Sequence, residues 1–208
     1  PPMRMDEYDP KTGVVLPQHP TTRAKFPFID VHNHQGRAMG DYLDKLLKDM
    51  DGLNMQIMVN LSGGYGERLQ QAVKYMKSKA PGRFAVFANL DFNKIDDPDY
   101  ADRVARQFEA DVKAGAQGLK FFKNFGMDLK DTKGERIKID DPRFDKVFEV
   151  CAKYKLPVLI HTGEPKQFFD PVDKTNERWL ELQQFPGRRR PPDKYPSWDT
   201  LMNEQMNL

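Results

Sequence analysis

From residue 26 onward, short apolar runs alternate with stretches in which apolar residues recur every three or four positions. That is the pattern of βα units building a parallel sheet. Residues 28–32 predict a first strand, and Tyr42, Leu43, Leu46, Leu47 and Met50 then share one helical face, with Gly52 as the stop. Residues 55–61 predict a second strand; Leu69, Val73 and Met76 mark its helix, ended by Pro81 and Gly82. Residues 84–90 follow as a third strand. Asp97 and Pro98 read as the cap and first-turn proline of a helix carrying Tyr100, Val104, Phe108 and Val112 inward, closed by Gly115. Residues 118–122 predict a fourth strand, Asp141 and Pro142 open a helix with Phe144, Val147, Phe148 and Cys151 on one face, and residues 156–161 predict a fifth strand. Between the fourth strand and its helix, Lys133-Gly134 separates two alternating stretches and predicts a small hairpin over residues 127–140.

The flanks break this rhythm. Residues 1–26 carry five prolines without apolar periodicity and read as an extended N-terminal arm, leaving residues 27–208 as one domain. After His161 the text turns polar and proline-rich, with helical spacing only over residues 178–184 and 200–206. Roughly 30 residues per unit is the pace of a (β/α)8 barrel, which takes about 250 residues to close. The expected fold is therefore α/β, a partial TIM-type barrel of about five βα units with strands six to eight missing; a smaller open sheet is the alternative. Unpaired edges on the first and fifth strands would then favour self-association.

With 208 residues, 38% hydrophobic and 31% charged, the chain has the length and composition of one domain with a real core. A net charge of +2 gives no reason to expect nucleic acid as a partner, and apolar runs such as residues 156–160 fall far short of the roughly 18 residues of a membrane span. The single cysteine, Cys151, excludes an internal disulfide and a thiolate cage, so a metal would fall to histidine and carboxylate. A chain opening on Pro1 and Pro2 without an initiator Met reads as a processed product or fragment, and nothing in it defines a compartment.

The candidate chemistry is concentrated in Asp30-Val31-His32-Asn33-His34, at the end of the first strand, where residues two apart project to one face. His32 and His34 can thus reach one ion, with Asp30 one step deeper as a ligand or an orienting group. A third of the four histidines, His161, ends the fifth strand, and the carboxyl rim of a parallel sheet is where sites assemble. The alternative for His161 is a packing histidine bonded to backbone. His19, in Gln18-His19-Pro20, reads as an exposed loop residue, and the basic run Arg188-Arg189-Arg190 reads as a carboxylate clamp or as a solvated cluster. Glu164 is a candidate to orient His161 or contact substrate; Lys123 and Asn124 are weaker candidates.

These motifs together, with Gly115-Ala116-Gln117-Gly118-Leu119-Lys120-Phe121, His161-Thr162-Gly163-Glu164-Pro165, Ile139-Asp140-Asp141-Pro142 and Tyr195-Pro196-Ser197-Trp198, resemble the amidohydrolase superfamily, in its amidohydrolase-related branch. The resemblance covers about residues 27–205. It implies a divalent metal, commonly zinc, held by His32, His34 and His161, with Lys120 as a further candidate where some members carry a carboxylated lysine. It also implies hydrolysis of a small carbonyl substrate, a lactone, amide or ester, by metal-activated water. A decarboxylase of the same family is the alternative, as is a noncatalytic fragment or interaction module. The family's later histidine and its catalytic aspartate have no counterpart here, so no catalytic residue is assigned. For substrate contact the candidates are Arg188, Arg189 and Glu164.

Overall fold

Each apolar run becomes a strand and each periodic stretch a helix in the computed structural model of the protein, which describes residues 4, 7–17, 19–36 and 39–208. The strands are β1 (Phe28–Asn33), β2 (Met55–Asn60), β3 (Phe84–Ala88), β4 (Gly118–Phe121) and β5 (Val158–Ile160). Helices α1 (Asp41–Leu53), α2 (Gly66–Lys79), α3 (Tyr100–Ala114) and α4 (Asp145–Tyr154) alternate with them, followed by α5 (Trp179–Gln184) and α6 (Trp198–Met206). The strands pair in chain order, all parallel. A doubly wound open sheet reverses its strand order at a switch point; this order never reverses, and the sheet curls as a half-barrel alternating with helices.

The curl is visible in one contact. β1 and β4 are separated by two strands, about 14 Å across a flat sheet at roughly 4.8 Å per strand, yet the His34 and Phe122 rings just beyond their ends lie 5.7 Å apart. Side chains standing perpendicular to a flat sheet would not meet. At the other edge of the same element, Ile29 and Val31 of β1 are exposed, and among the described residues no strand pairs outside β1 or β5.

Two apolar groups hold this assembly. Met50 of α1 packs with Met55 and Met58 of β2, joined by Phe28, Leu46, Leu47 and Phe84. At the other end Phe144 lies edge-on to Phe121, Phe125 and Tyr100, and Phe121 stacks on Phe125 with centroids 4.2 Å apart.

Several helix ends differ from the sequence expectation, each for a local reason. α1 runs through Gly52; its stop is Asn54, in the left-handed region at φ 67°, whose side-chain amide donates to the Ala24 carbonyl. Asparagine tolerates that conformation by bonding locally. Asp97 and Pro98 sit in a turn before α3, where the Asp97 N–H donates to the Lys94 carbonyl and the Tyr100 N–H to that of Asp97. Asp141 does cap as expected, accepting the Arg143 N–H, and Pro142 opens a short 3-10 turn that runs into α4. The 127–140 insertion narrows to one antiparallel bridge between Lys130 and Arg136, with the Asp131 carboxylate accepting the Lys133 and Glu135 N–H groups.

The chain divides into two units. The larger, Arg23–Gly163 with Pro196–Leu208, contains the sheet; the smaller comprises Pro1–Thr22 with Glu164–Tyr195. Within the smaller, the Asn176 amide donates to the Gln167 and Pro171 carbonyls, and Phe168 and Leu182 are buried. Residues 8–17 form no helix or strand.

In the larger unit α3 and α4 are clipped by Glu109, which accepts from Lys153 at 2.7 Å and from the Tyr154 hydroxyl at 2.9 Å. Those two donors, with Lys113, pull its carboxyl down to about 2. A depressed carboxyl stabilises the fold above its unfolded pKa and loses that contribution as pH falls through the folded value. Between roughly pH 4.5 and 2, stability of the wild type should therefore fall more steeply than that of Glu109→Gln. Urea midpoints across that range check this, and parallel slopes would contradict it.

Candidate functional site at the carboxyl ends of the strands

β1 does not end as a regular strand. Its register against β2 shifts between Asp30 and Asn33, so that three steps on β1 face two on β2 (Asp30 to Met58, Asn33 to Asn60). Such a bulge re-aims side chains. Asp30 fixes it, accepting the His32 N–H at 3.0 Å and the Asn33 amide at 2.6 Å. Asp30 therefore acts on the backbone that carries the histidines.

Within and just past the bulge, His32 and His34 stand together, ring centroids 5.3 Å apart and 67° inclined. The Nδ1 of His34 shares a hydrogen bond with the Ser62 hydroxyl at 2.8 Å, just past β2. Partial burial, then the neighbouring His32 and Lys120 charges, lower the His34 pKa below the ordinary imidazole value. Neutral imidazole is the form that ligates metal.

A set of asparagines holds the strand ends in place. Asn33 accepts the His34 N–H and the Gln35 side-chain amide. Asn60, almost fully buried, accepts the Gln35 and Ser62 N–H groups and donates to the Gln35 carbonyl. Asn89 accepts the Gly64 N–H and donates to the Leu61 and Lys120 carbonyls, tying the ends of β2, β3 and β4. Each amide offers donors and acceptors at once, which is what bridging neighbouring strand ends requires. Sequence reasoning missed these residues, Ser62 and Phe122, although an asparagine at or just past the end of each of three consecutive apolar runs was a readable signal.

Lys120 belongs to the same rim. It is 1% exposed on β4, and among the described residues its Nζ has no hydrogen-bond partner. The Phe122 ring lies 5.9 Å from that nitrogen, and burial lowers the pKa of the ammonium.

His161 follows β5, donating its backbone N–H to the Phe121 carbonyl at 3.1 Å, and is exposed. Within the smaller unit, Glu164 accepts from Arg190 at 2.7 Å. Arg188 pairs with Glu181 and covers the Phe185 ring, and Arg189 donates to the Leu182 carbonyl. Arg190 further donates to the carbonyls of Gly187, Arg188 and Arg189. The basic run thus makes contacts that order its own loop. His19 is exposed, as expected of a loop histidine.

As a metal centre the rim supplies a pair of donors. At a metal–nitrogen distance of about 2.1 Å and a tetrahedral angle, two imidazole centroids stand roughly 5.2 Å apart, which the observed 5.3 Å matches. An edge-on aromatic pair has the same spacing, so the distance permits an ion without requiring one. Among the described residues no three His, Cys, Asp or Glu side chains converge as a metal-binding group. The chain matches no protein-family model and no curated protein.

Proposed function

We propose that the protein is a metal-dependent hydrolase of a small carbonyl substrate, a lactone, amide or ester, built on the first five units of a TIM-type barrel. The observation that carries this reading is the adjacency of His32 and His34 at the carboxyl end of β1, the place where parallel barrels assemble their sites. The motif resemblance to amidohydrolases points the same way and names the chemistry. A bound divalent ion, commonly zinc, supplies a water acidic enough to attack near neutral pH and a Lewis acid for the carbonyl.

The chain's own residues prepare for that role. The Ser62 hydroxyl holds the His34 ring by Nδ1; in the tautomer that donates from Nδ1, the lone pair a metal takes lies on Nε2. The depressed proton affinity of His34 keeps that lone pair available. Asp30, through the His32 N–H and the Asn33 amide, fixes the bulge that carries both rings. With two imidazoles adjacent and no group of three donors among the described residues, zinc retention should be weak.

Equilibrium dialysis against zinc with elemental analysis tests the reading, beside an esterase and lactonase assay. Wild type should retain zinc with an affinity about tenfold or more above that of a His32→Ala, His34→Ala double variant. Equal retention in the two proteins would overturn the metal reading. Zinc retention without zinc-dependent turnover of any ester or lactone would overturn the hydrolase assignment.

A further inference from the structure

Lys120 presents an unbalanced charge. An ammonium has three donors, and one removed from water is stable only when those donors and the charge are answered. Lys120 is 1% exposed, and among the described residues its Nζ has no hydrogen-bond partner. Two other lysines of the same unit show the ordinary solution, Lys146 on Asp102 and Lys153 on Glu109, both at the surface. The carboxylate at the end of β1, Asp30, has both oxygens engaged by the His32 N–H and the Asn33 amide. The Phe122 ring lies 5.9 Å from the Lys120 ammonium, and the His34 imidazole stands 5.7 Å from that ring.

We propose that the Lys120 ammonium is the docking point for the carboxylate of a small organic acid, seated at the carboxyl ends of β1 and β4 with its carbon skeleton against Phe122 and His34. The ammonium is a compact charge suited to a single carboxylate oxygen, and the two rings give a wall for the organic part. The substrate class of the rim is then anionic: a carboxylic acid that also bears the carbonyl to be attacked. That last step rests on the hydrolase reading, whereas the anion site stands on Lys120 alone.

The test uses the whole 208-residue protein stripped of metal with a chelator, so that it is independent of zinc. Calorimetric titration compares succinate, its neutral diamide and inorganic phosphate, and NMR follows the Phe122 and His34 ring signals during the succinate titration. Succinate should bind saturably and shift both rings. The diamide, and succinate with Lys120→Met, should each bind about tenfold or more weakly, the fold-change of one lost charge-assisted hydrogen bond. Lys120→Met should melt no lower than wild type, because it removes an unanswered buried charge, and this separates lost binding from lost folding. If the variant does melt lower, the wild-type comparison of succinate with its diamide and the ring shifts decide. Equal affinity for succinate and diamide, undiminished succinate binding by a folded Lys120→Met, or ring signals that do not move would overturn the proposal. Phosphate binding more tightly than succinate would overturn the carboxylate assignment. A failed zinc experiment with a positive succinate result would remove the hydrolase reading and leave this site standing.

Discussion

A Glu204→Ala variant should lose about 3–5 kcal/mol of stability, the cost of removing one partner from a buried ion pair and leaving the other charge unanswered. Glu204 lies on α6, far along the chain from the segment it holds. Its two oxygens take both terminal nitrogens of Arg136 in a bidentate pair, at 2.9 and 2.5 Å, and one of them also accepts the Ile139 N–H at 3.1 Å. The Glu204 side chain is 8% exposed, so water replaces little of this when it is cut away. Arg136 in turn donates to the Gly126 carbonyl. Gly126 has φ 79° and leaves no room for a Cβ, which would stand 2.4 Å from Ile139. The insertion after β4 is thus folded around one carboxylate from the end of the chain. At 2–4 °C per kcal/mol for a protein of this size, the melting temperature should fall by roughly 6–20 °C. Glu204→Gln, which keeps an acceptor for Ile139 but not the charge, should fall between. A loss under about 1 kcal/mol in the alanine variant would mean that α6 is held by its apolar contacts, Leu201 first among them.

That latch was not readable in advance, and the reason is physical. Arg136 and Glu204 are 68 positions apart, and nothing in local periodicity couples two charges at that separation. The alternation of β1 to β5 with α1 to α4 was readable because burial of one face imposes its period on each segment separately. Helix stops were less so: Gly52 looked like the end of α1 because glycine is the common C-terminal residue, but Asn54 took the left-handed position two residues later. At the site, the spacing of His32 and His34 foretold their adjacency. It did not foretell the bulge that re-aims them, since a bulge is a relation between two strands. The Lys120 side chain illustrates the same limit. Its position at the end of the fourth apolar run was plain, but that the ammonium is buried without a hydrogen-bond partner among the described residues depends on which groups the curl of the sheet brings opposite.

The second large effect expected is at Phe144. Phe144→Ala should cost about 3–5 kcal/mol, the loss of a buried ring's transfer energy together with the cavity left behind. The ring is fully buried and meets Phe125 edge-on at 5.1 Å, Phe121 at 5.9 Å, Phe92 at 6.0 Å and Tyr100 at 6.2 Å. It therefore lies where β4, the loop after it, α3 and the start of α4 meet. Its backbone explains why it cannot move away: Asp141 caps the 3-10 turn that Pro142 opens, and Arg143 is drawn to Asp141 and Asp96, so the turn holds the ring in place from both sides. A collapse that would fill the cavity has to break those bonds. Phe144→Leu, which restores most of the apolar volume without the ring edges, should recover more than half of the loss in urea unfolding. Because Phe121 ends β4 one residue after Lys120 and one before Phe122, the alanine variant should also shift the NMR signals of the Phe122 and His34 rings. Unfolding data that place Phe144→Ala within 1 kcal/mol of wild type would show that the cluster can close around the gap. The aromatic joint would then not be what fixes the carboxyl end of β4.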